Sequence, residues 1–175
     1  MRKFLKFAFV AACTAIFLIG VVTFFAFGRG EMSKDCYIQQ VSTVDAGVAA
    51  TTDITSDEVD MQGCEGVIFV IPFGTITGSA VTSIYAQQDT VTGMGTAADL
   101  EGTSQTVADT DDNTTFYIDI VKPRERFVHV IVDRGTQNAV VGSITAIKYG
   151  VRKVPVTQPT GTSGETHVSP AEGTK

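Results

Sequence analysis

Tryptophan is absent, and histidine occurs only twice, cysteine three times and proline five times in 175 residues. The cysteines, Cys13, Cys36 and Cys64, make no C-x-x-C pair and have no histidine near them in sequence, so the ligand spacing of a zinc or iron–sulfur site is missing. His129 lies between Val128 and Val130 in a strand-like run and faces opposite to both. It reads as a surface or interface side chain rather than a general base. His167 sits in a Thr/Ser/Gly/Pro segment, with no rigid shell to hold it for acid–base work. No G-x-S-x-G nucleophile motif occurs, and the glycines of residues 73–78 (FGTITG) lack the lysine and helix start of a phosphate loop. The expectation is a non-enzymatic chain with no cofactor.

Positive charge is scarce as well. Arg2, Lys3, Lys6 and Arg29 all precede residue 31, so the remainder is more acidic than the net charge of −6 suggests. A nucleic-acid partner held in a basic groove is therefore not expected. Asp109, Asp111, Asp112 and Asn113 form the richest oxygen cluster, but their spacing does not reproduce a D-x-[DN]-x-[DN]-G calcium loop. They read as a solvated hairpin turn, with a bound cation as the alternative.

Residues 1–31 are a different material from the rest. A basic start is followed by an uncharged run from residue 7 to 27, and at about 1.5 Å per residue such a run matches a bilayer core of about 30 Å. One reading is a signal anchor with the following domain outside the membrane, and a cleaved signal peptide is its variant. The other reading is a mis-called start. Residues 28–31 (GRGE) are what a purine-rich ribosome-binding site would encode, and Met32 followed by Ser33, Lys34 and Asp35 makes an ordinary soluble amino terminus.

Residues 32–156 read as an antiparallel all-β domain. Seventeen glycines and abundant threonine and valine favour short strands and turns. Candidate strands fall at 37–41, 48–54 and 59–61, with a turn at 45–47. The run 67–71 (VIFVI), bounded by Gly66 and Pro72, is short and β-branched and marks a central strand. Residues 81–87 and 115–121 alternate as strands with one face in a core. Residues 127–132 and 139–147 follow, the latter bent at Gly142. The last three strands suggest a meander, with the earlier strands supplying the opposing sheet of a two-sheet sandwich or its jelly-roll variant. Residues 90–113 read as one long loop suited to an assembly contact, and residues 157–175 as a flexible tail. Cys36 and Cys64 would pair if the domain is exported, and otherwise pack as reduced thiols.

Residues 122–126 (KPRER) form the densest charge patch. Two readings stay open: a solvated turn started by Pro123, or a set of assembly contacts in which Arg124, Glu125, Arg126 and, farther on, Arg134 meet complementary groups on a neighbour. This segment continues as Phe127 and Val128, then residues 130–134 (VIVDR), and later 144–150 (ITAIKYG). Together with residues 83–88 (SIYAQQ), these stretches resemble small structural proteins encoded beside the major capsid gene of tailed bacteriophages, in which an "R-x-R-Y/F" strand leads to a last strand ending in "Y-G". The resemblance covers roughly residues 33–155. It implies a virion protein of the head-decoration or minor-capsid type, located on the capsid surface, binding the major capsid protein and acting as a homo-oligomer. The apolar leader departs from that pattern and supports the alternative of a membrane-anchored extracytoplasmic binding module.

Overall fold

The computed structural model describes residues 31–42, 47–167, 169 and 171–173. The leader, apart from Glu31, and the expected turn at 45–47, apart from Gly47, lie outside them. Met32–Lys175 forms one compact unit, and its core is built from its own side chains between Val41 and Ala146.

The chain folds as an open sandwich of two antiparallel sheets. After a single helical turn, α1 (Met32–Asp35), the first sheet takes β1 (Tyr37–Gln40), β4 (Gly66–Ile76), β8 (Thr115–Val121), β10 (Ala139–Val141) and β11 (Thr145–Tyr149). The second sheet takes β2 (Ile54–Thr55), β3 (Val59–Asp60), β5 (Val81–Asp89), β6 (Ala98–Asp99), β7 (Gln105–Val107) and β9 (Phe127–Gly135). Strand β4 is the spine of the first sheet. It pairs with β8 along one side and with β11 and then β10 along the other.

Alternation explains which faces meet. Val67, Phe69, Ile71 and Phe73 of β4 are buried, while Ile68, Val70 and Pro72 point the other way and are half-buried. Opposite them lie Ile84 and Ala86 of β5 and Val128, Val130 and Val132 of β9, all fully buried. Each strand thus gives one row to a common interior, as two stacked pleated sheets require.

Strand β4 runs five residues beyond the VIFVI segment, through Pro72 and Gly74. Pro72 has no N–H to give, but it falls where the neighbour changes from β11 to β10, so little ladder is lost. Its carbonyl accepts the Gly142 N–H at 2.7 Å. A Cβ at Gly142 would come within 2.9 Å of the Pro72 ring, so the close approach needs glycine there. The expected bend at Gly142 is therefore a break into two strands, β10 and β11.

Three expectations are corrected. The last strands are not a meander. β8 lies in the first sheet and β9 in the second, because Lys122 takes a positive φ of 52° and, with Pro123, carries the chain across the sandwich. Residues 90–113 are not one loop but contain β6 and β7. The stretch 90–97 is tied down by the buried Asp89 carboxylate, which accepts the N–H groups of Val91 at 3.1 Å and Thr96 at 2.8 Å. Residues 157–166 are not a free tail: Gln158 Nε2 donates to the Ser33 and Cys36 carbonyls, its Oε1 accepts the Ile38 N–H, and the Thr162 hydroxyl donates to the Ile38 carbonyl at 2.7 Å. These side chains cover the open edge of β1.

His129, expected at a surface or an interface, is 6% exposed. It faces away from the interior as its alternation requires, and its Nε2 lies 2.7 Å from Gln87 Oε1 across the β5–β9 pair. Since that oxygen only accepts, Nε2 carries the proton. Burial pushes the imidazole pKa below its ordinary value, against the opposing pull of Glu58 and Asp89. The unfolded chain therefore binds this proton more readily than the folded one, and stability falls as pH drops below about 6.5. Urea unfolding midpoints are expected to decrease between pH 7 and pH 5, and His129→Gln to flatten that decrease. An unchanged slope would contradict the assignment.

Candidate functional site: a cationic cleft at one end of the sandwich

Three turns meet at the end of the sandwich where β4 begins and β8 ends. The β3–β4 connection supplies Met61, Gln62, Cys64 and Glu65, the β8–β9 loop supplies residues 122–126, and the chain after β11 supplies Arg152. Together they line an open cleft of about 490 Å³. Its ionisable rim holds four cations, Lys122, Arg124, Arg126 and Arg152, against two carboxylates, Glu65 and Glu125. Within a chain of net charge −6, this end carries a modest local excess of positive charge, although Asp60 pairs with one of the four cations, Arg126.

Main-chain bonds hold the turns together. The Lys122 N–H donates to the Glu65 carbonyl at 2.6 Å, Met61 N–H to Arg126 at 2.8 Å, Glu65 N–H to Tyr149 at 3.0 Å and Arg152 N–H to Gly63 at 2.9 Å. The Tyr149-Gly150 pair is the hinge of this arrangement. Tyr149 lays its ring over Gly66, where a Cβ would come within 2.3 Å of its Cζ, and its hydroxyl donates to Asp119 Oδ1 at 2.6 Å. Burial, then that bond and nearby carboxylates, push its pKa up to about 12. Gly150 follows with φ of 62° and no room for a side chain beside Glu65. The turn it makes brings Arg152 back to the cleft.

The four residues expected as assembly contacts separate into three groups. Arg126 makes a forked pair to Asp60, Nε to Oδ1 at 2.9 Å and Nη2 to Oδ2 at 2.7 Å, and also reaches Gln62 Oε1 at 2.9 Å. It stacks 5.1 Å from the Phe127 ring centroid. The pair holds the Asp60 carboxyl below its usual range, yet with side chains 50% and 41% exposed it is screened by solvent and adds little to stability. Its role is positional, fixing the loop. Arg124 is exposed and Glu125 half-buried at the cleft. Among the described residues, no hydrogen bond or ion pair engages the charged ends of Lys122, Arg124 or Arg152.

Arg134 does not belong to this group. It is 5% exposed and far along β9, with Nε donating to the Thr52 carbonyl at 2.6 Å and Nη1 to the carbonyls of Ala139 at 2.9 Å and Val48 at 3.2 Å. It is a structural clamp, because a charge taken inside must be met by acceptors, and it cannot present itself to a neighbour.

Chemistry elsewhere is sparse. Asp109, Asp111 and Asp112 do not converge. Their carboxylates accept the N–H groups of Ser79 at 2.8 Å, Ala108 at 2.9 Å and Ile76 at 2.6 Å, respectively, each in a different direction. No group of three or more potential metal-ligating side chains occurs among the described residues. Cys36 and Cys64 are free thiols whose pKa values burial pushes up, away from reactive thiolate. Arg152 was not among the residues singled out from sequence. Its only signal is the basic pair Arg152-Lys153 after a glycine, which means little until the turn geometry is known. The chain matches no protein-family profile and no curated protein sequence.

Proposed function

We propose that this protein is a virion structural protein of the decoration or minor-capsid type, binding the capsid lattice through its cationic cleft. The observation that supports this reading is the placement of Lys122, Arg124 and Arg152, without intramolecular partners among the described residues, on turns pinned to a rigid sandwich. The turns already fix the backbone beneath these cations, and their unpaired ends have no internal partner to give up on meeting carboxylates, so they suit docking onto an acidic protein surface. The partner is the major capsid protein, and the residues in contact are Arg124 and Glu125 from the expected set, joined by Lys122 and Arg152. Arg126 holds the loop in shape. Individually weak contacts suffice on a lattice, which presents the same docking surface many times. The mechanism is noncovalent throughout.

Its test is binding to empty shells assembled from the major capsid protein of the same genome. The double substitution Lys122→Glu and Arg124→Glu is expected to weaken binding by at least about tenfold, and added salt to weaken the wild type in the same direction. Binding that ignores both would remove the cleft from the interface.

A second reading, a membrane-anchored extracytoplasmic binding module, is favoured by the uncharged run from residue 7 to 27. It requires the chain to fractionate with membranes.

A further inference from the structure

We infer that β8 is a self-pairing edge: two copies of this chain join their first sheets through antiparallel β8–β8 contact about a two-fold axis. This does not rest on the virion reading.

The edges of the sandwich are unequal. On the second sheet they consist of β2, β3, β6 and β7, each two or three residues long, which leaves little ladder to extend. On the first sheet, β1 is covered by Gln158 and Thr162. β8 is seven residues long and, among the described residues, pairs only with β4. In an antiparallel ladder, residues alternate between bonding one neighbour and facing the other. Lys122 bonds back to Glu65 and Thr114 accepts from Phe73, so the even-numbered residues of β8 serve β4. Thr115, Tyr117, Asp119 and Val121 therefore point their N–H and C=O groups outward. The Tyr117 carbonyl accepts Gln105 Nε2 at 3.0 Å and retains a second lone pair.

The same four residues turn their side chains to the outer face, where Tyr117 is 62% and Val121 61% exposed. A long, half-apolar open edge of this kind is what soluble proteins ordinarily blunt with lysine, proline or a bulge. None of these interrupts β8; lysine and proline come only after it, at Lys122 and Pro123.

The occupant follows from register. A two-fold axis at Ile118 overlaps the entire strand with its copy. It sets Thr115 against Val121 and Tyr117 against Asp119 of the second copy, with up to about eight main-chain hydrogen bonds. A slip of one pleat one way puts Asp119 against Asp119 and repels. The opposite slip leaves Val121 beyond the strand end. The strand is thus best matched to itself in one register: charge disfavours one slip and lost overlap the other.

The experiment is sedimentation equilibrium at about 100 µM, where a Kd of tens of micromolar gives mostly dimer, on both the Met32–Lys175 unit and the full chain. Dimer is expected. Tyr117→Glu, which places a carboxylate opposite Asp119, is expected to give monomer, while Tyr117→Lys keeps the dimer by facing the same aspartate. Because Tyr117 is largely exposed, both variants should retain the wild-type circular dichroism spectrum. Cysteines at 115 and 121 together should form intermolecular disulfides on mild oxidation. A monomeric wild type, or Glu and Lys variants of equal mass, would overturn the inference.

Discussion

Arg134→Leu is expected to lower the unfolding free energy by about 3 kcal/mol, the cost of breaking a buried, charge-assisted hydrogen-bond cluster. The guanidinium reaches three carbonyls on two separate stretches, Val48 and Thr52 before β2 and Ala139 in β10. Its own N–H donates to Asp53 Oδ1 at 3.0 Å, an interaction the variant keeps. Leucine would fill most of the space but leave those carbonyls facing an apolar group. The segment leading to β2 would then loosen from β9 and β10, so amide exchange around residues 48–54 should rise more than in β4. Denaturant titration gives the stability change, and exchange locates it. A change below about 1 kcal/mol, the level of an ordinary surface substitution, would mean that the carbonyls find other donors.

Phe69→Ala is expected to cost about 4 kcal/mol, the largest effect of any single truncation in this core. Phe69 is fully buried at the centre of β4, paired with Ala146 on one side and Ile118 on the other. Ala146, its neighbour in β11, is held in ladders on both sides, which limits how far the site can collapse into the vacated space. The consequence is functional as well as structural, because β4 begins at the cleft and its first residue, Gly66, supports the Tyr149 ring. Thermal unfolding should show a single transition displaced downward by well over 5 °C. A small shift would indicate that the two sheets are not packed through Phe69 as described.

Much of the fold was legible because alternation is local. The VIFVI run identified the spine strand, and the patterns at 81–87, 115–121 and 127–132 identified the strands. The break at Gly142 was signalled by a glycine inside a β-branched stretch. Which strands pair was not legible, because pairing is settled by contacts far apart in sequence. The step from β8 into the other sheet depends on the positive φ of Lys122, which no propensity marks for a lysine. The same limit applies to the site. The KPRER patch was visible as charge, but nothing local distinguishes Arg126, locked onto Asp60, from Arg124, left free. Arg134 looked like a surface cation because its acceptors are main-chain carbonyls, which carry no sequence signature. The tail shows the reverse case: a polar composition suggested freedom, while the glutamine and threonine in it had unpaired β1 edge groups within reach.

The proposed virion role would be tested by quantitative mass spectrometry of virions purified from cells that encode this chain. If the proposed role holds, its peptides occur at a fixed ratio to the major capsid protein, are retained through sucrose-gradient purification and are stripped by high salt. Intact virions that lack it, with the protein recovered instead from host membranes, would contradict that role and favour the anchored binding module.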